Sequence, residues 1–180
     1  MREDNVKLIL VDIDDNETGI GKKLETHEKG LLHRAFSVFI MDGDEMFIQK
    51  RADGKYHSGG LWTNACCSHP RPGMTLTESV HTRMKLEIGI DCPVEELFSF
   101  VYRAEFPDGL SEYEYDHVFI GHYPKDKGIE LNTEEASEAK WIKIDTLKKE
   151  LIEHPERFTA WLLIATPTFL KKLKEKNKEE

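Results

Sequence analysis

Three cysteines are all the chain has for crosslinking, an odd number, and two of them, Cys66 and Cys67, are neighbours. Adjacency strains any bridge between them, so the thiols read as reduced, as in a cytoplasmic protein. No CxxC pair is present, which argues against a structural zinc site. Long apolar runs are missing as well. "LILV" at 8–11 and "WLLIA" at 161–165 fall far short of the ~20 residues that cross a bilayer. The N-terminal "MREDNVK" is charged and lacks the apolar core of a secretion signal. Positive charge is in deficit, 25 Lys and Arg against 34 Asp and Glu, for a net charge of −9. That argues against nucleic acid as a partner, and an anionic ligand would need a basic pocket set against the global field. Repeats, low-complexity segments and a linker are absent. With no apolar patch standing out, the expectation is a monomer with neither nucleic acid nor membrane as a partner.

What is present fits one soluble domain spanning 1–180, with a charged tail at about 171–180 that frays into solvent. At 180 residues, 39% hydrophobic and 33% charged, such a chain buries ~70% of its unfolded surface. "VKLILVDI" (6–13) and "AFSVFIM" (35–41) read as strands, the second turning through Asp42-Gly43 into "EMFIQKR". A Gly-rich loop covers 57–73. Thr75 and Glu78 make a capping box for a helix whose stripe is Leu76, Val80 and Met84, and Gly89 ends it. The turn "PDG" joins strands at 97–106 and 112–123. A short strand, "KWIKID", precedes a helix from about Thr146. "RFTAWLLIA" is helical, and Thr166-Pro167 reads as a cap with proline opening the next helix. Strands mixed with helices indicate an α/β or α+β sandwich.

Several side chains could carry chemistry. His27 and His33 flank "EKGLL", and His69 follows the cysteine pair. His-x5-His alone is a weak signal, and two surface histidines are the better reading of it unless other ligands join them. Glu112, Glu114 and Asp116 alternate along a strand, so they leave one face, and the first two lie ~7 Å apart. Such a run is usually solvated, yet Val118 and Ile120 continue the same face. A carboxylate face that runs into an apolar one points to a pocket wall, and buried carboxylates want a cation. Imidazoles with carboxylates suit a divalent transition ion. Lys22, Lys23, Lys50, Arg51 and Lys55 form a basic group, and Arg51 and Lys55 lead into the Gly-rich loop, where phosphate oxygens could sit. Arg83 and Glu87 at i, i+4 are either a surface ion pair or a phosphate ligand beside a metal ligand. Of the two adjacent thiols at most one can face a pocket. Cys67, two residues from His69, is the better candidate, against the alternative of an inert buried thiol.

"THEKGLLHRAFSVFI", "LWTNACCSHP", "KLEIGI" and "YRAEFPDGLSEYEYDHVF" together resemble the type 1 isopentenyl-diphosphate isomerases, from about Lys23 to Trp161. That family has the Nudix fold, so the resemblance implies a Nudix-type sandwich of mixed sheets and flanking helices. Of the Nudix box only Glu87 and Gly89 are clear. Ser68 and Met74 stand at its glycine and glutamate positions, and Thr82-Arg83 at its Arg-Glu pair. The loss of those acids lowers the alternative, a pyrophosphohydrolase acting on a nucleoside or other diphosphate.

The resemblance implies Cys67 and Glu114 as the acid–base pair, with Tyr102 assisting. It implies one divalent ion, manganese, magnesium or zinc, held by His27, His33, His69, Glu112 and Glu114. A second ion, magnesium, is implied on Glu87 and the Cys67 carbonyl, bridging the substrate diphosphate. Lys23, Arg51, Lys55 and Arg83 match the diphosphate-binding positions, and Trp161 the aromatic that faces the hydrocarbon. The implied reaction protonates an alkene and removes a proton on the far side of a tertiary cation. It needs an acid, a base and a pocket closed to water.

Overall fold

The computed structural model describes residues 6–55, 57–176 and 178. Its centre is β3 (His33–Asp42), a ten-residue strand buried along most of its length. β8 (Ser111–His122) lies parallel to it on one side, from His33 opposite Glu114 to Met41 opposite His122. The other side is shared by three antiparallel partners. β1 (Lys7–Val11) meets it at Leu10–His33, β6 (Cys66–Ser68) at Phe36–Val38, and β4 (Glu45–Arg51) at Ile40–Asp42. β2 (Glu17–Lys22) extends the sheet beyond β1, β7 (Val94–Glu105) beyond β8, and β5 (Trp62–Thr63) and β9 (Ala136–Lys143) both pair with β4.

Alternation along β3 sends its side chains to two layers. Phe36, Val38 and Ile40 pack with Val80, Met84 and Ile88 of α2 (Leu76–Ile88). Phe39 and Met41 point the other way, against Leu147 of α3 (Ile144–Glu153) and Leu162, Ala165 and Phe169 of α4 (Ala160–Lys176). The Phe39 and Phe169 rings stack at 4.2 Å, a pair adding about 1 kcal/mol to the burial itself. The result is a sheet between helical layers, the sandwich expected from the strand and helix pattern.

Local signals explain most boundaries. Thr75 and Glu78 form the capping box of α2, and Gly89 closes it at φ 66°. Four elements lay outside the sequence pattern. β2, "ETGIGK", has no alternation, and α1 (Lys23–Lys29) is two turns long without an apolar stripe. The Gly-rich stretch 57–73, expected as loop, contains β5 and β6, which exist because β4 and β3 offer free edges to them.

Four expectations need correction. The hairpin after β3 turns through Gly43-Asp44, with Asp42 paired to Glu45, one residue later than expected. In "RFTAWLLIA", Arg157 ends a 3-10 turn and Phe158 is extended before α4 begins. Thr166-Pro167 is no cap, since Pro167 lies inside α4. The helix continues through it because the surrounding face is buried against the sheet. The tail does not fray from 171: α4 continues to Lys176, which reaches Glu95 of β7 at 2.7 Å. Residues 177, 179 and 180 lie outside the described ones.

Candidate active site

The face of β3 that carries Phe39 under α4 carries Ser37 and His33 towards its N-terminal end, where α4 no longer covers it. Register brings the rest: Glu114 lies opposite His33, Asp116 opposite Ala35, Cys67 opposite Ser37 and Tyr102 of β7 opposite Glu114. Further along β8, Val118 and Ile120 enter the apolar layer. The face that turns from carboxylate to apolar is therefore a pocket wall. Above it opens a cavity of about 370 Å³, lined by Lys23, Arg51, Lys55, His57, Cys67, His69, Arg83, Tyr102, Glu112, Glu114, Glu135 and Trp161 among others.

His27 reaches the cluster from α1. Gly30 at φ 59° closes that helix and turns the chain into β3, so both histidines of the "EKGLL" pair face inward. A Cβ at Gly30 would sit 2.9 Å from the Ser111 hydroxyl. Donor atoms of His27, His33, His69 and Glu114 lie within 4.8 Å of one another. His27 Nδ1 sits 2.7 Å from the Lys23 carbonyl and His33 Nδ1 2.8 Å from that of Leu31. A carbonyl accepts only, so each Nδ1 carries the proton and each Nε2 offers its lone pair to the centre. There His33 Nε2 stands 3.2 Å from His69 Nε2, and the Glu114 Oε1 stands 2.8 Å from His69 and 3.5 Å from His33. Donors ~2.1 Å from a shared ion are ~3.0–3.4 Å apart, so these spacings and the converging lone pairs fit a divalent ion. Burial pushes His27 and His69 down to about 4, which keeps the imidazoles neutral, as ligands must be. Burial alone would raise Glu114, but the adjoining His33 and His69 imidazoles outweigh it and hold the carboxylate well below its usual range.

Glu112 stands apart from those four. Its Oε1 faces His57 Nε2 at 3.1 Å, and its Oε2 accepts from Tyr102, whose hydroxyl also lies 2.6 Å from Glu114. Glu112, His57 and His27 form a second group able to hold an ion. His57, stacked on Phe106 at 4.5 Å, was not singled out in the sequence because nothing local marks it inside the Gly-rich stretch.

Strand alternation separates the adjacent thiols. Cys66 is buried against Val80 and Met84 of α2, and Cys67 faces the cavity. Cys67 donates to Asn64 Oδ1 at 2.8 Å and accepts from the Trp161 indole at 3.1 Å. Asn64 is fixed because its amide nitrogen donates to the carbonyls of Val38 and Cys66, each at 3.0 Å. The Ser37 hydroxyl links the Cys67 sulfur (3.7 Å) to Asp116 (2.8 Å). Burial, then the Asp116 carboxyl, pushes the Cys67 thiol up, and burial beside Glu114 pushes Asp116 well up. Asn64 also escaped the sequence reading, although it lies within "LWTNACCSHP", two residues before the cysteine pair. Trp161 is buried at the start of α4, with the Arg51 guanidinium 5.2 Å from its ring.

Lys23, Arg51, Lys55 and Arg83 line the same cavity. Arg83 bonds Glu87 at 2.5 Å and Glu135 at 3.2 Å, and Lys55 bonds Glu135 at 2.5 Å. Glu87 does not line the cavity; it lies behind Arg83 and also accepts from Gln49 at 3.1 Å. Burial pushes its carboxyl up against the pull of Arg83. Glu135 stays below the usual range because Lys55 and Arg83 outweigh its burial.

The NUDIX domain model matches residues 31–162. Among solved structures, a Deinococcus radiodurans protein superposes with TM-score 0.67 at 14% identity, over 82% of this chain and 90% of that one. A MutT protein of Methanosarcina mazei gives 0.60 at 18%, over 82% and 96%. The fold is thus of the Nudix class. Isopentenyl-diphosphate Delta-isomerase 2 of Photorhabdus laumondii is 47% identical over 86% of each chain. The isomerase of Serratia proteamaculans is 44% identical over 87% of each. The chain belongs to the isopentenyl-diphosphate Delta-isomerase family within that class.

Proposed function

We propose that Cys67 and Glu114 carry the two proton transfers by which this enzyme converts isopentenyl diphosphate into dimethylallyl diphosphate. One observation carries the assignment: a thiol and a carboxylate face the same cavity from strands on either side of β3. β6 and β8 are two strand spacings apart, ~10 Å, which leaves room for a five-carbon unit between them. One group adds a proton to the terminal alkene carbon, leaving a tertiary cation. The other takes a proton from the carbon next to the diphosphate-bearing one. The double bond moves and no net proton is gained. Each group ends in the protonation state opposite to the one in which it began, so the reverse reaction uses the same pair.

The other cavity residues serve this exchange. The Tyr102 hydroxyl lies between the Glu112 and Glu114 carboxylates, shares its proton with both and ties them together. The Trp161 indole N–H holds the Cys67 sulfur in place, and its ring offers a face to the cation. Asn64 gives the thiol proton an acceptor and so fixes its rotamer. Lys23, Arg51, Lys55 and Arg83 supply positive charge for the diphosphate. His27, His33, His69 and Glu114 would hold one divalent ion, manganese, magnesium or zinc, and Glu112 stands in a second group that shares His27. When bound, that ion raises the acidity of groups attached to it. A magnesium ion would accompany the diphosphate; Glu87, bound to Arg83 behind the cavity wall, would hold it only after leaving that guanidinium. The enzyme acts on this small diphosphate alone, as a cytoplasmic monomer.

The test is to incubate the protein with isopentenyl diphosphate and magnesium and identify the products by NMR. Dimethylallyl diphosphate without released phosphate is expected. Phosphate release without the isomer would favour a pyrophosphohydrolase and sink the proposal.

A further inference from the structure

The segment 130–136 crosses between the end of α2 and the loop after β4. The Asn132 N–H donates to the Glu87 carbonyl at 2.8 Å and its side chain to that of Leu86 at 3.2 Å. The Ala52 N–H donates to the Glu135 carbonyl at 3.0 Å. The Glu135 backbone is therefore pinned on both sides, and its side chain lines the cavity. One carboxylate oxygen takes Lys55 at 2.5 Å and the other takes Arg83 at 3.2 Å. An exposed ion pair would mean little, but this carboxylate is only 21% exposed, and both of its oxygens are committed to cations. It sits where a phosphate oxygen would bridge the same two side chains.

We propose that Glu135 is a specificity residue of the diphosphate cradle: its carboxylate withholds Lys55 and Arg83 from uncomplexed diphosphate and confines binding to the magnesium-bound form. This rests on the reading above that Lys55 and Arg83 meet the substrate diphosphate.

Repulsion from a fixed carboxylate scales with the charge of the approaching anion. An uncomplexed diphosphate ester carries about three negative charges and its magnesium complex about one. The same carboxylate therefore opposes the bare anion far more than the complex. Glu87, which meets the same Arg83 nitrogen at 2.5 Å, acts in the same direction. The global charge of −9 cannot supply this discrimination, because distant charges are screened over ~10 Å whereas Glu135 touches the cations.

The experiment is calorimetric titration of the full chain with inorganic pyrophosphate, in magnesium-free buffer and with excess magnesium. In the wild type, magnesium should tighten binding strongly. Glu135→Gln should tighten magnesium-free binding about tenfold or more and alter magnesium-bound affinity less than about threefold. Glu135→Ala, which removes the carboxylate by truncation, should show the same collapse of the ratio, and Glu135→Asp should restore the wild-type ratio. Melting temperatures confirm that each variant is folded. The proposal is overturned if the ratio in both neutral variants stays within about threefold of wild type. It is equally overturned if they weaken both forms of binding together, because Glu135 would then merely hold the cations or ligate the magnesium. A different result would sink the underlying reading instead. If wild-type protein fails to bind pyrophosphate with magnesium present, or Arg83→Ala binds as wild type does, the cradle is elsewhere and the proposal falls with it.

Discussion

Cys66 and Cys67 differ by one position and by everything that matters chemically, since alternation along β6 gives one to the core and the other to the cavity. Cys67→Ala should lower kcat by about 10³-fold or more, within the range of a lost acid–base group. Cys66→Ala should cost about 1 kcal/mol of stability and leave turnover within a few-fold of wild type. Equal losses in the two variants would undo the assignment, and a steady-state assay beside a thermal melt reads both.

Trp161 has a similar double character. Its N–H serves the Cys67 sulfur and the Thr63 hydroxyl, the latter at 2.8 Å. Trp161→Phe therefore loses a hydrogen bond to the thiol as well as part of the ring quadrupole. Phe should fall well below Trp in kcat, with Leu lower still, and an ammonium analogue of the cation should lose affinity in the same order. A series in which kcat tracks melting temperature, with analogue affinity level, would make Trp161 a packing residue. Asn64→Ala strands the carbonyls of Val38 and Cys66 and frees the thiol, so it should cost about 2 kcal/mol of stability and reduce kcat together.

Among the elements, α4 carries its own test. Pro167 cannot donate to the carbonyl four residues before it, and a proline inside a helix costs ~3 kcal/mol where nothing compensates. Pro167→Ala should raise the melting temperature by a few degrees without affecting turnover, because Leu163, whose carbonyl gains a donor, is remote from the cavity. A drop in melting temperature would mean the proline fits a bend that the packing of Phe169 on Phe39 requires. Pro167 also shows what a sequence pattern hides. Thr166-Pro167 has the composition of a helix start, and only tertiary packing on Met41 and Phe39 carries the helix through it. The same holds for β5 and β6, too short and Gly-flanked to announce themselves, whose strand character comes from the edges they complete. The capping box of α2 and the alternation of β8 were legible because they are local: one needs four residues, the other a period of two. Asn64, His57 and Glu135 were not, since each acquires its partners from 26 to 80 positions away or from a backbone with no pattern of its own.

For the whole molecule, the face of the sheet beyond the reach of α4 collects charges that no single element could bury. His27 and His69, held down to about 4 by burial, disfavour protonation in the fold relative to their usual 6.5. That contribution to stability is intact above 6.5 and is lost as pH falls towards 4. Chelated, metal-free protein should lose melting temperature across that window, and His69→Gln should flatten the decline. An unchanged decline would mean that other groups set the acid limit. Purified protein should hold divalent metal, and His33→Ala should lose it, because the His33 and His69 lone pairs meet at the same point.

The central claim is that a thiol and a carboxylate on opposite sides of β3 exchange protons through the substrate. The direct measurement is NMR of isopentenyl diphosphate turned over in deuterium oxide by wild type, Cys67→Ala and Glu114→Gln. Wild type should give dimethylallyl diphosphate with solvent deuterium in the newly formed methyl group, while both variants, folded and still binding pyrophosphate, should form it about 10³-fold more slowly or not at all. Deuterated product from Cys67→Ala within about tenfold of the wild-type rate would contradict the account.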